Sequence, residues 1–448
     1  MIIANGTVWL EDGPKAADVL VKDGVVAAVG ALQGVLGDTD VVDAAGLDVI
    51  PGAIDIHVHV DDEIGRFSIA DTFRSGSYTA IQSGVTTLYT FITQRGGETL
   101  AQAADRYLVK GQGKSYCDFG LHLTPTAYDA GWEDEVRALH ARGLRSLKLY
   151  TTYREAGLYA DYDRVQKVMA LAKALDLAVL VHCEDQETLD AVALPPGATD
   201  GAAAHGLLRP AAAETVAIEK VAYLGWFTKC RTHIVHVSTE KGLQLVEKAR
   251  QMEGRLTCET CPQYFTMDES ALQGPDGHRW LCTPPLRALH DRAGVDAALT
   301  HGAVDVVASD HCPFLRRDKD SSPEDRRGTP NGLPGVGALL PLTYELFKSR
   351  RGTLADVVRV LCRNPAKVAG AYPRKGTIAP GADADLVLLG RDGAPRHLIS
   401  TVCDCHDPHG ERTTTLDVRA VFLRGEKVVE NNRIVRPDTP TGRCLWES

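Results

Sequence analysis

Short apolar runs separated by turn dipeptides open the chain. The runs are Thr7-Val8-Trp9-Leu10, residues 18–21 and residues 25–29, with Asp12-Gly13 and Asp23-Gly24 between them. Asp-Gly supplies the positive φ that a tight hairpin needs, so this pattern predicts a small antiparallel sheet. The same texture returns in residues 384–389 and 418–425. The two ends of the chain are therefore expected to complete one β domain around whatever lies between them.

From about residue 51 to 372 the pattern changes. Strand-length apolar runs alternate with segments of helical period, such as 162–175 and 211–224. In order, the expected strands are 55–60, 85–89, 118–123, 146–150, 178–182, 232–237, 256–259 and 303–310. Unbroken apolar strands are those covered on both faces. Eight of them separated by helices predict an α/β fold of the (β/α)8, or TIM-type, barrel class. Length alone, 448 residues at roughly 150 per domain, suggests about three domains. The pattern replaces that with residues 1–50 as the N-terminal part of a β-sandwich, 51–372 as the barrel, and 373–448 as the rest of the sandwich and a tail.

What ends each strand is chemically unusual. His57 and His59 are two apart on the first strand, which puts both side chains on one face. Lys148 lies in the fourth strand, His182 ends the fifth, His236 the sixth and Asp310 the eighth. Barrel active sites form at the C-terminal ends of strands, so these residues are expected to meet at one mouth. Four imidazoles and a carboxylate make a site for zinc or a neighbouring divalent ion. A protonated lysine cannot be a ligand, but a buried one can lose its proton and combine with carbon dioxide. The resulting carbamate is anionic and has two oxygens, enough to bridge a metal pair. Taken singly, each residue has an ordinary reading: a hydrogen-bonded core histidine, an exposed lysine, a helix-capping aspartate. The ordered set is what packing alone does not explain.

Composition narrows the partners. At 44% hydrophobic and 24% charged residues the chain is ordinary for a globular protein. A net charge of −10 without Lys/Arg clusters argues against nucleic acid and is compatible with a neutral small-molecule substrate. The first residues have neither a basic segment nor an apolar core, so no signal or transit peptide is expected. No apolar window reaches the roughly 18 residues of a membrane span. The cysteines number 11, an odd count, and several, among them Cys117, Cys183 and Cys258, sit in or beside strands. That predicts reduced thiols in a cytoplasmic protein.

These residues resemble the amidohydrolase superfamily, and within it the dihydropyrimidinase or hydantoinase type of cyclic amidase. Pro51-Gly52-Ala53-Ile54-Asp55-Ile56-His57-Val58-His59 is similar to that family's first-strand signature, and Ser146-Leu147-Lys148 with Tyr153 to its carboxylated lysine and following tyrosine. Val235-His236-Val237-Ser238, Glu259-Thr260-Cys261-Pro262-Gln263-Tyr264, Pro284-Pro285-Leu286-Arg287, Ser309-Asp310-His311-Cys312-Pro313-Phe314 and Pro330-Asn331-Gly332 also match. The resemblance implies two divalent ions, zinc first among the candidates, with His57, His59 and Asp310 on one, His182 and His236 on the other, and N6-carboxylysine at Lys148 between them. It implies that a hydroxide shared by the ions opens dihydropyrimidines or 5-substituted hydantoins, with Asp310 moving the proton. Tyr153 would donate to the developing oxyanion, while Thr283 and Asn331 would hold the ring amide. Relatives of this kind are usually homodimers or homotetramers.

Some stretches depart from the family. Asp61-Asp62-Glu63-Ile64-Gly65-Arg66-Phe67 is unlike the usual loop over the exocyclic substituent, so ring-opening chemistry transfers better than substrate identity. A dihydroorotase would be expected to carry an Arg just after the His pair, where Val60-Asp61-Asp62 stands here, and an allantoinase usually lacks the counterpart of Tyr153. Both remain alternatives. A non-catalytic scaffold relative loses metal ligands, and this chain keeps them. Cys403, Cys405, His406 and His409 are four ligand-capable residues in a short stretch, read as a surface loop or oligomer contact. The mixed charges of residues 316–320 are read as a solvated loop beside the mouth.

Overall fold

A computed structural model describes residues 1–32, 40–252 and 255–446. Eight parallel strands pair in chain order: Ala53–Val58, Val85–Thr93, Asp118–Thr124, Ser146–Tyr150, Ala178–His182, Arg231–Ile234, Leu256–Thr260 and Val306–Val307. The sheet closes on itself. Val58 bridges His311, the His59 N–H donates to the His311 carbonyl at 2.7 Å, and the His311 N–H donates back to His57. This is the barrel the alternating pattern predicts. Its last strand is shorter than expected, with only Val306 and Val307 paired, and Asp310 follows it in an irregular segment.

Every residue of the first and third strands is buried, because helices cover the sheet outside and side chains fill it inside. The helices begin where short polar side chains satisfy free N–H groups. Thr72, Thr99, Asp161 and Thr239 each accept from the third helical residue of the segment they open. Gly120 shows how tightly the interior is filled: a Cβ there would lie 2.1 Å from the Tyr89 ring, which stacks on His122.

The two chain ends form the second unit. Its main sheet follows one hydrogen-bonded path, with Val41–Asp43 pairing beside it on Ile2–Leu10, and in that path Asp48–Pro51 pairs antiparallel with Leu386–Gly390. This β-sandwich folds around Ile3, Val8, Val19, Val21, Val49, Leu386, Leu388 and Phe422. Lys375 fastens it to the barrel, with Asp118 of the third barrel strand on one side and Asp383 and Asp385 on the other. All of the 11 cysteines are free thiols. Among the described residues, no helix is long and apolar enough to cross a membrane.

Candidate active site

Strand pairing sets the heights of the site residues along the barrel axis. Lys148 lies beside Leu180 and Tyr150 beside His182, so the lysine sits one layer below the imidazole. His57 and His59 leave the first strand with ring centres 5.6 Å apart. Asp310 Oδ1 is 3.2 Å from His57 Nε2 and 3.6 Å from His59 Nε2, and the three residues offer ligand atoms within 4.8 Å of one another. His236 continues the arc, with its ring 5.3 Å from His57 and 4.5 Å from His182. All six residues expected at the mouth are thus gathered in one cluster.

Two atoms in this cluster are buried without a hydrogen-bond partner, Lys148 Nζ and His236 Nδ1. An unpaired amine and an unpaired imidazole nitrogen within one group of imidazoles fit an ion-binding site. Lys148 Nζ faces the Phe91 ring at 4.8 Å. Burial lowers its pKa to about 8 against the pull of Glu259 and Asp310. Burial also lowers His57, His182 and His236, and Lys148 adds to the effect on each, which favours the form of these three rings that has a lone pair available. Burial pushes the Asp310 carboxyl up, but His57 and His59 outweigh it and hold it ionised.

Three site residues carry backbone strain. His236, Asp310 and Tyr153 all have left-handed φ, at 38°, 48° and 64°. For side chains other than glycine this costs of order 1–3 kcal/mol each, and it is tolerated where geometry serves a function.

Tyr153 stands over the cluster with its ring 5.2 Å from His182 and 5.8 Å from Tyr150. Burial, opposed by Arg209, raises its phenol, so the hydroxyl keeps its proton and can donate. Thr283 and Asn331 are brought onto neighbouring segments, because the Gly332 N–H donates to the Leu281 carbonyl at 2.8 Å. Thr283 Oγ1 lies 3.4 Å from His205 Nε2, and Asn331 Oδ1 is buried without a partner.

Several residues with no role assigned from the sequence support this arrangement. Glu259 lies between two imidazoles, 2.5 Å from His57 Nδ1 and 3.1 Å from His233 Nε2. Burial pushes its pKa up, but the two histidines more than reverse that. An ionised carboxylate only accepts, so His57 Nδ1 carries the hydrogen and its Nε2 lone pair is left on the Asp310 side. Glu184 does the same for His182 Nε2 at 2.7 Å and is itself gripped by Arg209, whose guanidinium also lies 5.0 Å from the Tyr153 ring centre. The parity of His182 and Glu184 was a usable signal; Arg209, in a helix-terminal loop, offered none.

Two readings need correction. The stretch 316–320 is not a wholly solvated loop: Lys319 is buried and donates to the Leu281 carbonyl at 2.7 Å, bracing the segment that carries Thr283. The Cys403 segment is only partly a surface loop: Val402 and Asp404 are exposed, but its other residues turn inward. Cys405 bridges Leu315, Cys403 Sγ contacts Asp71, and His409 is buried, so the segment plugs the side of the mouth. It forms no metal-ligand group among the described residues.

A closed barrel with a histidine-rich cluster at its C-terminal mouth defines a barrel enzyme with a candidate metal centre. The model of the Amidohydrolase family matches residues 49–428, and the chain belongs to that family, among its hydantoinase-like cyclic amidases. It is 32% identical to the D-hydantoinase of Ralstonia pickettii over 98% of this chain and 97% of the relative. It is 31% identical to an allantoinase of Escherichia coli O1:K1 / APEC over 96% of this chain and 95% of that one. The crystal structure of a dihydropyrimidinase from Brevibacillus agri superposes with a TM-score of 0.93 at 32% identity, covering 100% of this chain and 98% of the other.

Proposed function

We propose that this chain hydrolyses the ring amide of dihydropyrimidines or 5-substituted hydantoins. The observation that carries the reading is Lys148, whose Nζ is buried and partnerless, close enough to Asp310, His57, His182 and His236 for their charges to act on one another. In this reading His57, His59 and Asp310 would hold one divalent ion and His182 and His236 a second, and Lys148, as its carbamate, would serve both. Zinc suits an imidazole-rich set best. The ions would supply Lewis acidity and a water acidified enough to attack at neutral pH.

The chain's own residues do the rest. Asp310 Oδ1, held ionised, accepts the proton of the attacking water and returns it to the departing ring nitrogen. The Tyr153 hydroxyl donates to the carbonyl oxygen as charge develops there. Thr283 and Asn331 orient the ring amide. Tyr153→Phe is expected to lower kcat by about 10²–10³-fold with metal content unchanged.

Metal analysis combined with turnover of dihydrouracil, a 5-substituted hydantoin, allantoin and dihydroorotate tests the reading. Two ions per chain and turnover of the first two are expected. No bound metal, together with no turnover of any member, would sink it. Allantoin stays in the panel because the allantoinase likeness is nearly as high as the hydantoinase one. The free thiols support a reducing compartment such as the cytoplasm. A homodimer or homotetramer is the assembly we favour, and light scattering in solution measures it.

A further inference from the structure

The barrel has a second cavity at its opposite end. About 370 Å³ in volume, it lies among the N-terminal ends of the fifth to eighth strands and the helix Asn364–Val368. Its walls include Arg231, His233, Arg255, Thr257, Asn364 and Lys367. That size suits a small molecule.

Its charge is poorly compensated. Arg231 is half-buried and donates to the backbone carbonyls of Asp176, Lys367 and Val368, yet no carboxylate among the described residues pairs with it. Burial, opposed by Asp176 and reinforced by the neighbouring Arg255, disfavours its charge. Asp305 also lines the cavity, but Arg250 and the Cys258 N–H engage its carboxylate. Lys367 turns its ammonium to the Tyr372 ring and Glu11. Two adjacent guanidiniums therefore share one exposed carboxylate, Asp176, which Arg255 holds at 3.0 Å. Carbonyls satisfy hydrogen bonds but do not neutralise a cation, and a partly desolvated guanidinium without a counter-charge is costly. A carboxylate or phosphate would remove that cost through paired hydrogen bonds.

The cavity also touches the interior. Thr257 Oγ1 is 2.8 Å from His233 Nδ1, and His233 Nε2 reaches Glu259, which holds His57. A file of hydrogen bonds thus runs from this cavity through the barrel to the mouth.

We infer that the cavity is a second binding site, for a small oxyanion, phosphate or carboxylate, held by Arg231 and Arg255. Binding there can be measured whether or not the chain opens cyclic amides, so the two readings fail separately. Calorimetric titration of the full-length protein with inorganic phosphate at constant ionic strength is expected to saturate with a dissociation constant of about 1 mM or tighter. An N-carbamoyl amino acid, which carries the carboxylate that ring opening creates, is the second probe and separates carboxylate from phosphate recognition. Arg231→Gln is expected to abolish binding. Arg255→Gln, which spares the carbonyl bonds of Arg231, is expected to weaken it about tenfold and decides the matter if Arg231→Gln does not fold. No saturable binding of either anion by about 10 mM, equal binding by Arg255→Gln, or the same heats from chloride would overturn the inference.

Discussion

Lys148 and Lys375 are both fully buried, and their surroundings are opposite. Lys375 Nζ lies 2.5 Å from Asp385, 2.6 Å from Asp118 and 2.9 Å from Asp383. Burial alone would lower its pKa, but the carboxylates raise it above the ordinary value. Lys148 has no hydrogen-bond partner, and burial takes it to about 8. At pH 7 that leaves about 10% of it as free amine, against about 0.03% for an ordinary lysine. The difference separates a charge that fastens from a charge kept available: three carboxylates neutralise one, and the other is left for something the protein does not itself supply.

Substituting each lysine by methionine, similar in volume, is the most direct way to break this comparison. Lys148→Met is expected to lower turnover by about 10³-fold or more while making the metal-stripped protein more stable, by up to about 3 kcal/mol, as read by denaturant unfolding. A marked loss of stability would mean that Lys148 has a compensating partner. Lys375→Met is expected to do the reverse. It should cost about 3–5 kcal/mol by leaving buried carboxylates unpaired, with kcat changed little in whatever protein remains folded.

A smaller effect is expected at Glu259, which steadies His57. Glu259→Gln should weaken metal retention by about 10–100-fold in dialysis against a chelator, without the stability loss of Lys375→Met. The smallest effect is a slope. The folded pKa of Lys148, about 8, lies below its ordinary 10.5, so between those values the unfolded chain binds more protons and stability rises with pH. Lys375 is shifted the other way, so its contribution is complete below 10.5 and falls only above it. In metal-stripped protein the stability advantage of Lys148→Met over the unsubstituted chain should therefore shrink as pH rises from about 8 to 10.5. A constant difference would show that the lysine is not depressed.

Much of this was legible in the sequence because period and parity are local. Two-residue spacing placed His57 with His59, and strand ends in barrel order placed Lys148, His182, His236 and Asp310. The supporting network was not legible for a physical reason. Glu259 acts on His57 and His233, which lie on different strands, and Arg209 reaches Glu184 and the Tyr153 ring from a loop, so neither has a period to betray it. Lys319 misled because a mixed-charge stretch has the same composition whether it faces water or, as here, sends one ammonium inward to a backbone carbonyl. The Cys403 segment misled similarly: what buries it is the distant pair Leu315 and Asp71.

The pairing of Asp48–Pro51 with Leu386–Gly390 has a consequence for how the molecule is made. Chain synthesis delivers the first strands early, yet their central neighbours emerge only after the whole barrel has been synthesised. Until then Val8, Val19 and Val21 belong to a half-built sheet with an open edge. Such contacts are slow to form and prone to aggregation. The barrel can close before the sandwich, and Lys375 can find Asp118 only when the two meet, so assembly should finish at the junction of the two units, far from the chemistry.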